Sequence, residues 1–300
     1  MKNWEAILAD SLRRRWKRYR QALKRCQRDF SEKAVHDSRI QTRRLLSLIE
    51  LLAVFLAESH LKRARRALKQ HLDVFDLLRD TQVQLSLLNK HLLEFPELRP
   101  FHDALARREQ RCLKQAASGV RSVKISRIEK AVRSLTRQLR NLGGDDAHRA
   151  RHRLAVIHAV EGAFARAVEL QRKMDPGMAQ TIHRTRVAFK RFRYMVEALQ
   201  PIPAGVTRDR LRAMRNFQTM MGDVQDTEVL LGRLDKFARR VPARARSLAG
   251  FRHWLLRRRT AQIARCLKHA DRLHRFWPIA GGPPADGAAR SRAGRRFRVC

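Results

Sequence analysis

The sequence predicts an all-α protein built from two related halves. Nearly every long segment of the 300-residue chain repeats its apolar residues at helical period, and the 13 glycines and 9 prolines sit mostly between those segments. A basic motif near the middle of the first half also recurs near the middle of the second. No apolar run combines the length and alternation of a strand.

Residues 3–28 carry an apolar row at Leu8, Leu12, Trp16, Tyr19, Leu23 and Cys26. A basic row at Arg13, Lys17, Arg20 and Lys24 lies one residue further on, turned by about 100°. Such a row can be a solvated face or an anion-binding one, and Arg13, Lys17 and Arg20 are counted among the candidate anion-binding residues. Trp16, Tyr19 and Phe30 are read as core. Ser31 is suited to cap a helix running to about Ala57. A third helix is expected from Ser59 to about Leu93, closed by Pro96 and Pro100. Helices over 101–117 and 124–142 follow, and Gly143-Gly144-Asp145-Asp146 marks the boundary between the halves, about 1–142 and 148–277.

The second half restarts over 148–173. Pro176-Gly177 precedes a helix that Pro201-Ile202-Pro203 ends, and periodic segments at 207–240 and 244–275 complete the folded part. Residues 278–300 turn to Gly, Pro, Ala and Arg, and are expected to be a disordered basic tail.

A net charge of +39 favours polyanionic partners such as nucleic acid, an anionic membrane surface or a phosphate polymer. At 44% hydrophobic residues the chain can still bury a substantial core. Cys26, Cys112, Cys266 and Cys300 show no CxxC or zinc-ligand spacing, and no secretory signal opens the chain, so reduced thiols in a cytoplasmic protein are expected. The most apolar run, Leu45 to Ala57, is too short to span a bilayer and contains Glu50.

The repeated motif is His36-x-x-Arg39-x-x-x-Arg43-Arg44, which returns 147 residues later as His183-x-x-Arg186-x-x-x-Lys190-Arg191; Glu50 and Glu197 keep the same offset. On a helix His36, Arg39, Arg43 and Ser47 share one side, with Leu45, Leu48, Ile49 and Leu52 opposite. His183, Arg186, Lys190 and Tyr194 repeat that face against Phe192, Met195, Val196 and Leu199. Further on, Lys62, Arg66 and Lys69 recur as Arg208, Arg212 and Arg215, and Asp80-Thr81 as Asp226-Thr227, 146 residues apart. Each half thus offers two cationic helix faces, and a pseudo-twofold arrangement would set four of them around one groove or pore. Asp80 and Asp226 are read as helix-positioning or charge-pairing residues.

This paired pattern, followed in each half by Asp80 or Asp226, resembles the CHAD family (conserved histidine α-helical domain) over about residues 3–275. The resemblance implies two helical bundles related by approximate twofold symmetry, with a basic central channel that binds inorganic polyphosphate. It marks His36, Arg39, Arg43, Arg44, His183, Arg186, Lys190 and Arg191. Asp76 departs from the pattern, standing where the second half has Gly222. No counterpart of the triphosphatase-like CYTH domain that accompanies some members is present, nor any ExExK stretch. The expectation is therefore a non-enzymatic protein without cofactor or metal, associated with polyphosphate granules.

The chemistry is consistent with that expectation. Polyphosphate is a flexible chain with about one negative charge per phosphate and no bases. Arginine's planar fork matches phosphate oxygens two at a time, while lysine acts as a point charge. Histidines among arginines should bind phosphate more strongly below about pH 6.5. Affinity summed from many such contacts should fall steeply with salt. Two catalytic readings fare worse. His36-Asp37 looks like the HD pair of metal phosphohydrolases, but the second copy reads His183-Arg184 and further ligands at suitable spacing are missing. A phosphotransfer histidine would sit beside a lysine and a small residue, whereas arginine dominates here. Weak nonspecific RNA or DNA binding is the alternative, although no reading motif and few free aromatics support it.

Overall fold

A computed structural model describes residues 4–56, 58–142, 145–199 and 206–277. Among these the regular structure is helical, with ten α-helices and three short 3-10 turns. In chain order they are α1 (Trp4–Asp29), α2 (Glu32–Leu52), α3 (Glu58–Val74), α4 (Asp76–Asn89), α5 (Arg99–Ser122), α6 (Ile125–Asn141), α7 (Asp146–Arg172), α8 (Ala179–Leu199), α9 (Arg208–Arg240) and α10 (Ala249–Lys268). The boundary glycines 143–144, the Pro201-Ile202-Pro203 stretch and the 278–300 tail lie outside the described residues.

Side-chain oxygens open three of the helices as N-caps. Ser31 accepts from the Ala34 N–H, Asp145 from His148 and Thr207 from Arg210. The α1–α2 corner turns through Phe30, whose φ of 50° is in the left-handed region that a phenylalanine rarely adopts. Its N–H still closes on the Cys26 carbonyl, its carbonyl accepts from Gln82 Nε2, and its ring packs on Phe75. Those contacts hold a conformation that costs about 1–2 kcal/mol in isolation.

One large apolar core runs through both halves, from Leu8, Leu48 and Leu68 to Phe189, Phe192 and Phe217. A smaller one gathers Leu88, Leu98, Phe101, Leu234 and Phe251, where the ends of α4 and α9 meet α5 and α10. At the joint of the halves α2 packs directly on α8. His71 is fully buried beneath α1 and α2, bonded to Tyr19 Oη at 2.7 Å and Ser38 Oγ at 3.2 Å. Burial, and then the nearby Arg39 guanidinium, push its pKa down to about 3, so it is neutral in the fold. Cys26 and Cys266 are buried thiols pushed up to about 12 and about 11, chiefly by burial, which makes them poor nucleophiles.

Two expected boundaries change. The second helix stops at Leu52, where Ala53 turns its N–H back to the Ile49 carbonyl, rather than continuing to about Ala57. The third helix is two helices, α3 and α4, separated at Phe75. The Leu72 carbonyl, which a continuous helix would give to the Asp76 N–H, instead accepts Arg39 Nη1 at 2.6 Å and the Phe75 N–H at 3.1 Å. The corresponding segment of the second half, α9, is unbroken over 33 residues.

Candidate functional site

The halves meet at a cleft of about 670 Å³ with one wall from α2 and α8 and the other from α4 and α9. The α2 turns present His36, Arg39, Ile40 and Arg43; the α8 turns present His183, Arg186, Val187, Lys190, Arg193 and Tyr194. Both stripes have helical spacing, and their opposite sides carry the buried Leu45, Leu48, Phe192 and Met195, so burying the apolar rows turns the basic ones to the cleft. The facing wall is mixed, with Asp76, Arg79 and Asp80 from α4 and Arg215, Asp223 and Asp226 from α9. Seven Lys and Arg side chains thus confront four Asp side chains, leaving a surplus of positive charge with neutral histidines.

Crowding of that charge is severe around Lys190. Burial, and then the guanidinium groups of Arg43, Arg186, Arg39 and Arg193, lower its pKa to about 6. Arg43 is lowered to about 10 by burial and then by Arg39. The pKa of His36 is lowered by desolvation and then by Arg79; that of His183 by desolvation and then by Arg186, against a hydrogen bond with Gln225. Across the cleft Asp80, Asp223 and Asp226 are all raised, in each case mainly by burial. Around Lys190 and Arg43 the α2/α8 wall therefore carries crowded positive charge, while burial disfavours the charged form of the carboxylates on the α4/α9 wall.

Arg39 and Arg186 hold equivalent positions in the sequence repeat but differ in environment. Arg39 is 5% exposed and donates Nη1 to the Leu72 carbonyl and Nη2 to Asp76 Oδ1 at 2.5 Å. Arg186 lies against Gly222, where an added Cβ would come within 3.4 Å of its Nε, and that buried Nε has no acceptor.

The CHAD family profile matches residues 6–235. The chain belongs to the CHAD family. Among solved structures it is similar to the CHAD domain of the plant Ricinus communis, with a TM-score of 0.65 and 20% identity over 90% of this chain and 91% of that one. This second likeness concerns the fold alone. A comparison with curated proteins finds no match.

Within this CHAD fold the sequence-predicted residues divide into three groups. His36, Arg39, Arg43, His183, Arg186, Lys190 and Arg215 line the cleft. Arg44 and Arg191 do not; they cross the α2–α8 joint instead, Arg44 to Glu197 at 2.6 Å and Arg191 to Glu50 at 3.9 Å. These two contacts are reciprocal in the repeat, each arginine reaching the other half's glutamate. The remaining cations lie outside the cleft. Lys62, Arg66 and Lys69 are exposed on α3, which contributes no residue to the cleft. Arg208 and Arg212 are exposed at the start of α9, with Arg212 near Asp209 at 3.7 Å. Arg13, Lys17 and Arg20 are exposed on α1, Arg20 standing over the Trp16 ring. The four cationic faces expected around one groove are thus two, opposed by a wall of mixed charge.

Sequence reasoning missed Arg79, Arg193 and Asp223 as lining residues, since their repeat positions hold Gln225, Leu46 and Leu77. Arg193 stacks 4.2 Å over Tyr194 and also reaches Glu197 at 3.2 Å, which links the cleft to the joint beneath. Among the described residues no group of three or more His, Cys, Asp or Glu could hold a metal ion, and no helix is long and apolar enough to cross a membrane.

Proposed function

We propose that this CHAD protein binds inorganic polyphosphate in the cleft between α2, α4, α8 and α9, without chemical turnover. The observation that carries this reading is the convergence of the two repeated basic stripes around Lys190, which burial and neighbouring guanidinium groups hold at a pKa of about 6. Concentrated, uncompensated cations of this kind are relieved by a bound polyanion. Arg43 and Arg186 offer forked donors to phosphate oxygens, and Lys190 and the two histidines gain charge as the anion enters. The carboxylates of Asp80, Asp223 and Asp226 repel phosphate, so the polymer is expected along the α2/α8 wall. Through such binding the protein would be recruited to polyphosphate granules or help to organise them.

The test is competition between long-chain polyphosphate and single-stranded DNA or RNA of matched charge at about 0.15–0.3 M salt. Polyphosphate should win at equal charge, and Arg43→Ala with Arg186→Ala and Lys190→Ala should abolish that preference in a folded protein. Displacement of polyphosphate by nucleic acid at equal charge would reverse the reading in favour of nucleic-acid binding. Phosphate release abolished by His36→Ala, with or without divalent metal, would make the protein an enzyme.

A further inference from the structure

Beyond the cleft, α5 and α9 enclose a second groove of about 580 Å³. Arg108 and Arg111 enter it from α5, and Arg233, Lys236 and Arg240 from α9. Its one carboxylate, Glu228, is already held by Arg259 of α10. Among the described residues none of the five cations forms a salt bridge, and Arg108 Nε is buried without an acceptor. Burial, and then the Arg108 guanidinium, lower the pKa of Arg233, while the Asp80 carboxylate of the main cleft acts in the opposite direction. Positive charge is therefore gathered along this groove, with Arg108 and Arg233 partly buried in it and Arg111, Lys236 and Arg240 exposed at its surface.

The groove also adjoins the cleft along α9. Val229 lines both, and on the same helix Arg233, Lys236 and Arg240 follow it at 4, 7 and 11 residues, a spacing that keeps them near one face of α9. From Val229 to Arg240 the helix rises about 16 Å. Gly232, between them, leaves its Cβ direction open, with nothing within 4 Å.

We propose that the α5/α9 groove is a second anion subsite, which receives the same polyphosphate chain as it leaves the main cleft past Val229. The proposal rests on polyphosphate binding in that cleft. It makes the protein selective for length: a short oligophosphate occupies the cleft alone, and a long chain gains the contacts of Arg108, Arg111, Arg233, Lys236 and Arg240.

Two variants of the full chain test it. One replaces the exposed Arg111, Lys236 and Arg240 by Gln; the other, Gly232→Glu, fills the open floor and adds a negative charge at a helical position that favours Glu over Gly. A control replaces Arg127, Lys130 and Arg137, exposed on α6, by Gln to match the charge change. Each is titrated with tripolyphosphate and with long-chain polyphosphate. Both groove variants should lose about tenfold or more in affinity for the long chain and keep tripolyphosphate binding within about twofold, with a shallower salt dependence for the long chain. The control should change neither ligand's affinity by more than about twofold. Long-chain binding as tight as wild type in both folded groove variants would overturn the subsite and leave the cleft reading intact. Equal losses for both ligands, or the same loss in the α6 control, would also overturn it, since overall charge would then account for the effect. A wild-type protein that binds neither phosphate would remove the cleft reading and the subsite together.

Discussion

Arg39 and Arg186 occupy the same place in a repeated motif, yet the opposing helix gives them different roles. In the first half Asp76 and the Leu72 carbonyl take both ends of the Arg39 guanidinium, and the helix breaks at Phe75. In the second half Gly222 stands where Asp76 would be, Arg186 Nε is unsatisfied, and α9 runs through unbroken. One arginine is engaged by its neighbours, and the other has a buried guanidinium nitrogen left without an acceptor. The joint shows a parallel asymmetry. Glu197 is 9% exposed and gathers Arg44 and Arg193, whereas Glu50 pairs with Arg65 and Arg191, whose side chains are 52% and 61% exposed. A sequence repeat therefore fixes which face a cation occupies, while its partner decides whether that cation is structural or available.

The joint offers the largest expected effect. Glu197→Ala leaves the nearly buried Arg193 and the partly buried Arg44 without their carboxylate, and should lower unfolding free energy by about 3 kcal/mol. Glu50→Ala removes only partners on exposed side chains and should cost at most about 1 kcal/mol. Denaturant midpoints at constant m-value measure both. Equal losses would mean that the two reciprocal bridges are equivalent and that the asymmetry has no energetic content.

Exchanging the residues opposite the two arginines comes next. Gly222→Asp places a carboxylate beside Arg186 and should weaken polyphosphate binding by about 10- to 100-fold, the range expected for one charge-assisted hydrogen bond. Asp76→Ala releases Arg39 and should act in the opposite direction, tightening binding several-fold. Because Asp76 is half exposed, losing its pair should cost only about 1–2 kcal/mol of stability. Opposite signs in a binding titration are the decisive feature. If both substitutions weaken binding, the Arg39–Asp76 pair shapes the cleft rather than withholding a cation.

Much of this was legible in the chain. Helical period gave the all-α class, and the repeat picked out His36, Arg39, Arg43, His183, Arg186 and Lys190 as one kind of face. Arg44 and Arg191 stand one residue beyond that face and are marked only by the family resemblance, which does not distinguish a side chain lining a cleft from one crossing to a neighbouring helix. The signal for their true place was present in Glu50 and Glu197, which recur at the same offset. The break at Phe75 was not legible, since it depends on Arg39 from another helix capturing the Leu72 carbonyl. Arg79, Arg193 and Asp223 were missed for a simpler reason: a search for duplicated residues passes over those present in one half only.

The remaining comparison is between Arg43 and Lys190, which are equivalent in the repeat and differ most in how they titrate. Arg43, at about 10, stays charged at neutral pH, whereas Lys190, at about 6, is largely neutral in the empty cleft. A phosphate bound between them favours the charged form of Lys190 and of His36 and His183, so the bound-state pKa values rise above the free ones. Binding then takes up protons, and affinity increases as pH falls from above the bound-state values towards the free ones, flattening below. For Lys190 the gain continues down to about pH 6; for the histidines it extends below their ordinary 6.5, because both are lowered in the free protein. Protonation of Asp80, Asp223 and Asp226 on the facing wall acts with the same sign, since it removes negative charge. Near pH 7 the uptake should be less than about one proton, and so less than about tenfold in affinity per pH unit. Calorimetric titration with polyphosphate in buffers of different ionisation enthalpy counts those protons directly. Lys190→Arg should remove most of the uptake at pH 7 while leaving the histidine-dependent rise below pH 6.5. Unchanged uptake in that variant would move the titrating group away from Lys190, and the two halves would then differ in their carboxylates rather than in their cations.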